Sequence, residues 1–162
     1  MGIGYPMKNI GLIEKLKRDV DSHPVLSNNW LNNAAEYLSL KELKKWLSQE
    51  YFVSQDFVSW FLKTASNTND IEIRIALVEN IWEELGEGIK SNSHIEILRE
   101  FLVKINFDFS NLICYEKTSQ YLSIMSSIIS SNTYRALGAL GPANEYLLKK
   151  EYGKMYQSYS NL

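Results

Sequence analysis

The scarcity of proline constrains this chain more strongly than any other feature of its sequence. Only three prolines occur in 162 residues, at Pro6, Pro24 and Pro142, so residues 25–141 contain none. Proline removes a backbone hydrogen bond and clashes with the preceding helical turn, and its absence therefore permits long helices. Apolar residues in this stretch recur at intervals of three and four, which is the period of an α-helix and not of a strand. We predict an all-α protein in which residues 1–162 form a single helical domain.

Capping signals indicate where several of these helices begin. Ser39 with Glu42, and Ser93 with Glu96, have the spacing of a capping box, in which each side chain bonds the backbone N–H of the other residue. Asp70 has a side chain that can accept from the first free N–H groups of a helix, so it should cap the helix that follows it. The sequence therefore predicts three helices that begin directly after residues 39, 70 and 93.

The composition excludes several classes of function. Apolar residues make up 45% of the chain, which is enough to form a core and argues against disorder. The net charge is −2 and the basic residues are interspersed with acidic ones, so we expect no nucleic-acid partner. No apolar run approaches the roughly 20 residues that span a bilayer, so we expect no membrane segment. Cys114 is the only cysteine, which fits a reducing compartment, and we predict a cytoplasmic protein.

Glu84 is an acidic residue on a line of the helix that we expect to be buried. This helix should run from Ile71 to Leu85 and end at Gly86 and Gly88. Its apolar residues form two lines that we expect to face the core: Ile71, Ile75, Val78, Trp82 and Leu85, and Ile73, Leu77 and Ile81, which Glu84 continues. A buried carboxylate without a partner costs several kcal/mol, so Glu84 is expected to be protonated, ion-paired or metal-bound, unless the helix end lets it reach water.

His94 lies ten residues beyond Glu84, across a glycine-containing loop. It should open the next helix and begin an apolar line that continues through Ile97, Phe101 and Ile105. A histidine on such a line is either a core residue with a hydrogen-bond partner or a ligand. A glutamate at the end of one helix and a histidine at the start of the next could converge on one ion, and this pair of ligands suits iron or manganese in helical bundles. Glu87, in the loop, is a second candidate carboxylate.

Two further acids fall on helix lines that we expect to face inward. In the last predicted helix, Glu145 shares a line with Tyr134, Gly138, Gly141, Leu148 and Tyr152. Each glycine costs about 1 kcal/mol relative to alanine in a helix, so these two should serve either ligand space or close helix packing. Pro142 should kink this helix or restart it. Glu50 lies among Trp46, Leu47, Val53 and Phe57, where a partner from another helix would satisfy it.

Three stretches together resemble the haem-oxygenase-like helical superfamily. They are His23-Pro24 with Trp30-Leu31 downstream, the segment Leu47-Ser48-Gln49-Glu50-Tyr51-Phe52-Val53, and the segment Asn80-Ile81-Trp82-Glu83-Glu84-Leu85-Gly86-Glu87-Gly88 followed by His94. The superfamily includes TenA-type thiaminases, pyrroloquinoline quinone synthase C and the non-haem diiron oxidases, among them the chlamydial protein associating with death domains. The third stretch is most similar to the diiron oxidases, and the resemblance covers residues 20–150.

The resemblance implies a fold and a set of metal ligands. The fold would be an up-and-down haem-oxygenase-like bundle of about six to seven helices, short at its C-terminus. Glu84, or alternatively Glu87, would bind iron together with His94, and Glu145 resembles a ligand on a later glycine-rich helix. Diiron oxidases complete this site with a His-x-x-x-Asp-x-x-His helix, and His94 is the last histidine here. We therefore expect at most three or four of the six protein ligands.

The resulting hypothesis is a non-haem iron enzyme. It would be an oxidase or oxygenase that uses iron and dioxygen to oxidise a small organic substrate inside the bundle. One alternative is a catalytically incomplete helical protein that binds a partner or forms a homodimer through an apolar groove. The other is a metal-free, TenA-type thiamine-related hydrolase, in which Glu50 would be the catalytic acid.

Overall fold

The computed structural model of the chain describes residues 10–33 and 38–159. Every regular element in these residues is helical, which confirms the all-α prediction. The chain divides into a terminal unit, Met1–Leu38 with Gly141–Leu162, and a central unit, Ser39–Leu140. The grouping of all residues into one domain stays a prediction. Among the described helices none is long and apolar enough to cross a bilayer.

The helices of the described residues are named here in chain order. They are α1 (Ile10–Asp21), α2 (Asn29–Asn32), α3 (Leu40–Asn67), α4 (Ile71–Glu84), α5 (His94–Lys104), α6 (Glu116–Ser131), α7 (Thr133–Leu140) and α8 (Tyr146–Tyr159). Three short 3₁₀ turns lie at Pro24–Ser27, Lys90–Asn92 and Phe109–Asn111. A π-helical turn, Gly141–Glu145, separates α7 from α8, so the predicted break at Pro142 is confirmed.

The long helix α3 organises the central unit. The capping box predicted at its start is present: the Ser39 N–H donates to a Glu42 carboxylate oxygen at 2.9 Å, and the Glu42 N–H donates to the Ser39 hydroxyl at 3.3 Å. These bonds satisfy backbone groups that no helical turn can satisfy, and they fix where α3 begins. Helices α4, α5, α6 and α7 all pack against α3.

The core of the central unit forms where α3 meets α4, α6 and α7. Its buried members are Trp60, Phe61, Ala65, Leu77, Ile81, Met125, Ile129, Ala136, Ala139 and Leu140. Trp60 also donates from its indole nitrogen to the Ser126 hydroxyl at 3.4 Å, which ties α3 to α6. The burial of Leu77 and Ile81 confirms that the second line of α4 faces the core.

The other predicted core line of α4 is exposed. Ile71, Ile75, Val78, Trp82 and Leu85 are between 45% and 62% exposed, so the prediction that this line is buried is wrong. Both lines have helical spacing, and α4 has only one described helix, α3, packed closely along it. Periodicity identifies apolar faces, but the position of the neighbouring helix decides which of them is covered.

The terminal unit brings α1 and α8 together. Tyr146 donates its hydroxyl to Asp21 at 3.2 Å, and the Lys150 ammonium lies 3.1 Å from the same carboxylate. Farther along α8, Lys154 donates to the Leu26 carbonyl at 2.7 Å and also contacts the Asn32 side chain. These polar contacts hold α8 against α1, the first 3₁₀ turn and α2.

Candidate metal centre

Glu84 and His94 are brought together in the central unit. The Oε2 atom of Glu84 lies 2.8 Å from the Nδ1 atom of His94, although ten residues separate them along the chain. The Glu84 side chain is only 16% exposed, whereas the His94 side chain is 59% exposed. The pair therefore lies at the surface of the unit, with its carboxylate turned inward and its imidazole open to solvent.

The end of α4 forms a backbone arrangement that only certain residues tolerate. The Gly86 N–H donates to the Glu83 carbonyl at 2.9 Å, and the Glu87 N–H donates to the Trp82 carbonyl at 2.9 Å. These two bonds make a Schellman motif, which requires a left-handed residue after the helix. Gly86 supplies it with a φ of +69°, as the sequence predicted for the glycine at this helix end.

Gly86 also fixes the distance between α4 and α5. A Cβ atom built on Gly86 would lie 2.4 Å from the Asn92 carbonyl carbon and 2.4 Å from the Ser93 nitrogen. Only hydrogen fits in that space, so the end of α4 touches the residues that begin α5. This contact places His94, the first residue of α5, beside Glu84, one residue before the cap of α4.

Ser93, the residue before α5, does not form the capping box that the sequence predicted. Its hydroxyl donates back to the Lys90 carbonyl at 2.7 Å and makes no capping bond to α5. Glu96 instead bonds Arg99 at 2.8 Å, and the Arg99 side chain lowers the pKa of Glu96. The prediction of a second capping box is therefore wrong, because a tight 3₁₀ turn before α5 takes up the serine hydroxyl.

The spacing of the Glu84 and His94 donor atoms fits two adjacent positions on a metal ion. Donors bound at about 2.1 Å on neighbouring vertices of an octahedron lie about 3.0 Å apart. The 2.8 Å between the carboxylate oxygen and the imidazole nitrogen is close to that value. Carboxylate and imidazole are also the donor mixture that non-haem iron uses. The two side chains thus supply two donors of the kind that iron binds, at a separation that is also that of an ordinary N–H···O hydrogen bond.

The other predicted ligands occupy different places. Glu87 lies in the loop, exposed and with a φ of +54°, and Glu50 is half-buried on α3. Glu145 belongs to the terminal unit and is exposed, so the expectation that it faces inward is wrong. In residues 10–33 and 38–159 no three His, Cys, Asp or Glu side chains form a group that could hold a metal ion. The metal roles of Glu87 and Glu145 and the catalytic role of Glu50 stay predictions.

Glu145 lines a cleft that lies wholly within the terminal unit. The cleft has a volume of about 340 Å³, and its lining residues are Ile13, Leu16, Lys17, Gly141, Glu145, Tyr146 and Lys149. Of the two glycines near Glu145, Gly138 and Gly141, neither has an atom within 4 Å of an added Cβ. Among the described residues, neither glycine is therefore in close contact with a neighbouring helix, and Gly141 lines the cleft.

Gln49 is a connecting residue that the sequence did not identify. Its amide oxygen accepts from the Tyr115 N–H at 2.9 Å and from the Thr118 hydroxyl at 2.8 Å, and its amide nitrogen donates to the Ile113 carbonyl at 2.9 Å. These bonds join α3 to the start of α6 immediately beside Glu50. A polar residue within an apolar helical segment was the only signal available, and it does not indicate the partners.

Comparison with known proteins gives one match. The profile of a family described as "Iron-containing redox enzyme" matches residues 44–162, which is well over half of the chain and includes all five predicted site residues. No curated protein and no solved structure matches significantly. The match supports the resemblance drawn from the sequence motifs and agrees with the all-helical structure. The chain belongs to the haem-oxygenase-like family of iron-containing redox enzymes.

Proposed function

We propose that this protein is an iron-dependent oxidase or oxygenase that acts on a small organic substrate, with Glu84 and His94 as iron ligands. The observation that carries the proposal is the 2.8 Å approach of a carboxylate oxygen to an imidazole nitrogen. The proposal is supported by membership of a family of iron-containing redox enzymes. Iron bound there would supply the chemistry of dioxygen activation, and dioxygen would be the co-substrate.

The two side chains would contribute differently to iron binding. Glu84 is mostly buried, so the protein holds its carboxylate in a fixed position at the end of α4. His94 is exposed on one side, which leaves room for water or substrate beside the ion. Without iron the same two atoms are within hydrogen-bond distance, and the Nδ1 proton must leave before Nδ1 can bind a metal. A neutral imidazole meets this requirement by carrying its proton on Nε2 instead, so iron binding at Nδ1 selects that tautomer.

Iron binding by matched variants tests the proposal. The protein is loaded with Fe(II) without oxygen, and the affinity is measured by metal analysis after equilibrium dialysis. We expect His94→Ala and Glu84→Gln each to weaken binding by about tenfold or more, because loss of either donor leaves a single ligand. Glu79→Gln, which changes an exposed carboxylate on the same helix, is the control and should bind as the wild type does.

Two results would contradict the proposal. One is wild-type iron binding no stronger than that of the double variant lacking both side chains. The other is a loss of binding in the Glu79 control equal to the loss in the Glu84 variant. The same dialysis applied to Glu145→Gln and Glu87→Gln tests whether those predicted ligands contribute to affinity.

A further inference from the structure

The exposed apolar line of α4 forms a continuous surface along the whole helix. Its members, here called the α4 stripe, are Ile71 (62% exposed), Ile75 (51%), Val78 (51%), Trp82 (55%) and Leu85 (45%). They follow one another at intervals of four and three residues, so they lie on one face over a length of about 20 Å. Contiguous apolar surface of this kind on a folded protein marks an interaction site.

The α4 stripe is not needed to hold α4 in place. A separate face, about 120° around the helix, already buries Leu77 and Ile81 against α3, with Ile73 packed beside them. A helix that is apolar on two faces suits a position between two layers, of which α3 supplies one. The stripe therefore suits contact with a second helix.

Negative charge borders the α4 stripe along one edge only. Glu79 and Glu83, here called the glutamate ridge, are exposed four residues apart on the adjoining side of the helix. On the other edge, the Arg74 guanidinium donates to the Ala65 carbonyl at 3.1 Å and to the Thr68 carbonyl, so its charge is directed toward the end of α3. The surface is apolar with a one-sided anionic border.

This charge pattern disfavours a second copy of the chain as the occupant. If two copies packed α4 antiparallel about a two-fold axis, both glutamate ridges would lie on the same side of the contact and repel. If they packed parallel, each ridge would face the Arg74 edge, where the guanidinium is already bonded to carbonyl groups. In neither arrangement do the ridge glutamates of one copy meet a lysine or arginine of the other copy's α4 that could neutralise them, except Arg74, whose guanidinium already donates to carbonyl groups.

We propose that the α4 stripe binds an amphipathic helix of a partner protein that carries lysine or arginine along one edge of its apolar face. The stripe matches the helix-in-groove mode of recognition, in which anchors recur at three and four residues. At about half exposure each, the five side chains offer on the order of 500 Å², less than the roughly 800 Å² that each side of a standard stable interface buries. The contact should therefore be transient.

Two labelled synthetic helices test this proposal by fluorescence anisotropy. Both peptides are about 16 residues long, which is enough to cover the α4 stripe, and both have the same apolar face of leucines. They differ only along one edge of that face, which carries lysine in one peptide and glutamate in the other. We expect the wild-type protein to bind the lysine peptide about tenfold more tightly than the glutamate peptide. We also expect that preference to shrink at high salt, because salt screens exposed charges.

Variants assign the binding to this surface. Val78→Ser, at the centre of the stripe, should weaken binding of the lysine peptide by about tenfold, and Glu79→Gln should reduce the preference for lysine over glutamate. Leu62→Ser changes an apolar residue on α3 that is 52% exposed and lies outside the stripe, and it should have no effect. Circular dichroism establishes that each variant is folded.

Three results would overturn the proposal. They are equal binding of both peptides, equal effects of Val78→Ser and Leu62→Ser, and a wild-type dimer in sedimentation equilibrium that Val78→Glu converts to a monomer. The last result would identify a second copy as the occupant. His94→Ala should bind the lysine peptide normally, so loss of iron binding and loss of helix binding are separable.

Discussion

Replacement of Gly86 by alanine should break the candidate metal centre without changing any of its ligands. The backbone there has a φ of +69°, which costs a residue with a Cβ atom about 1–2 kcal/mol. The new Cβ would also lie 2.4 Å from two backbone atoms of residues 92 and 93, which can move only if the whole loop moves. Overpacking of this kind adds about 1–3 kcal/mol, so we expect the free energy of unfolding to fall by about 3 kcal/mol.

Urea denaturation and Fe(II) dialysis measure the two consequences of this substitution. If the loop opens to accommodate the methyl group, His94 moves away from Glu84, and iron affinity should fall as far as it does in His94→Ala. Gly88→Ala is the matched control, because Gly88 has a similar φ of +84° but its added Cβ would meet the Trp82 ring at 2.8 Å. That ring is half-exposed and can turn away, so the control should lose about 1–2 kcal/mol and keep its iron affinity.

The reasoning would be refuted by a Gly86→Ala protein that is as stable as the Gly88→Ala protein. It would be refuted equally by a destabilised Gly86→Ala protein that binds iron as the wild type does. The first result would show that the loop does not press on Gly86, and the second that loop closure does not position His94.

Three smaller changes have clear expected outcomes. Gly138→Ala should raise the free energy of unfolding in urea by roughly 0.5–1 kcal/mol, because Gly138 lies inside α7 with open space around the position of a Cβ. Ser39→Ala should lower the free energy of unfolding by about 1 kcal/mol, because the helix cap is lost. Hydrogen bonds with Ser39 lower the pKa of Glu42, so that pKa should rise in the variant, as measured by NMR titration. Burial raises the pKa of Glu151 above its ordinary value of 4.5, opposed by the charge of His23, so Glu151→Gln should stabilise the protein at neutral pH. The extra stability of the variant should disappear as the pH falls from the raised pKa to below 4.5, because Glu151 of the wild type is then protonated in both the folded and the unfolded state. Thermal unfolding of both proteins across this pH range measures the difference.

Local signals in the sequence predicted helix boundaries well. The capping box of Ser39 and Glu42 and the helix end at Gly86 depend on residues within one turn of each other, and both are present in the structure. The box predicted at Ser93 is absent because its hydroxyl bonds backward to the Lys90 carbonyl. A serine at the start of a helix can either cap that helix or donate its hydroxyl to a carbonyl of the preceding turn. The conformation of the preceding turn determines which of these hydrogen bonds forms.

Predictions that depended on helical register over many residues were less reliable. A count of about 3.6 residues per turn from Tyr134 predicts that Glu145 lies on an inward-facing line. The π-helical turn at Gly141–Glu145 has more residues per turn than an α-helix, so a count of about 3.6 residues per turn does not give the direction of the Glu145 side chain. The presence of Pro142 indicated that the helix is interrupted there, but it did not indicate a π-helical turn. The kind of interruption determines the direction of the Glu145 side chain.

The Glu84–His94 pair could be predicted because its geometry depends on a short loop and not on long-range packing. Glu84 lies at the end of one helix and His94 at the start of the next, and the tight contact at Gly86 leaves the two ends little freedom. The α4 stripe could not be predicted in the same way, because exposure of Val78 or Trp82 depends on which helices are present beside α4. A single helix thus carries two apolar faces and, at its end, one member of the candidate metal centre. Trp82 links these features, since its ring lies against Gly88 in the loop that leads to His94. A helix bound to the stripe would therefore contact Trp82, whose ring lies against the loop between the two proposed iron ligands.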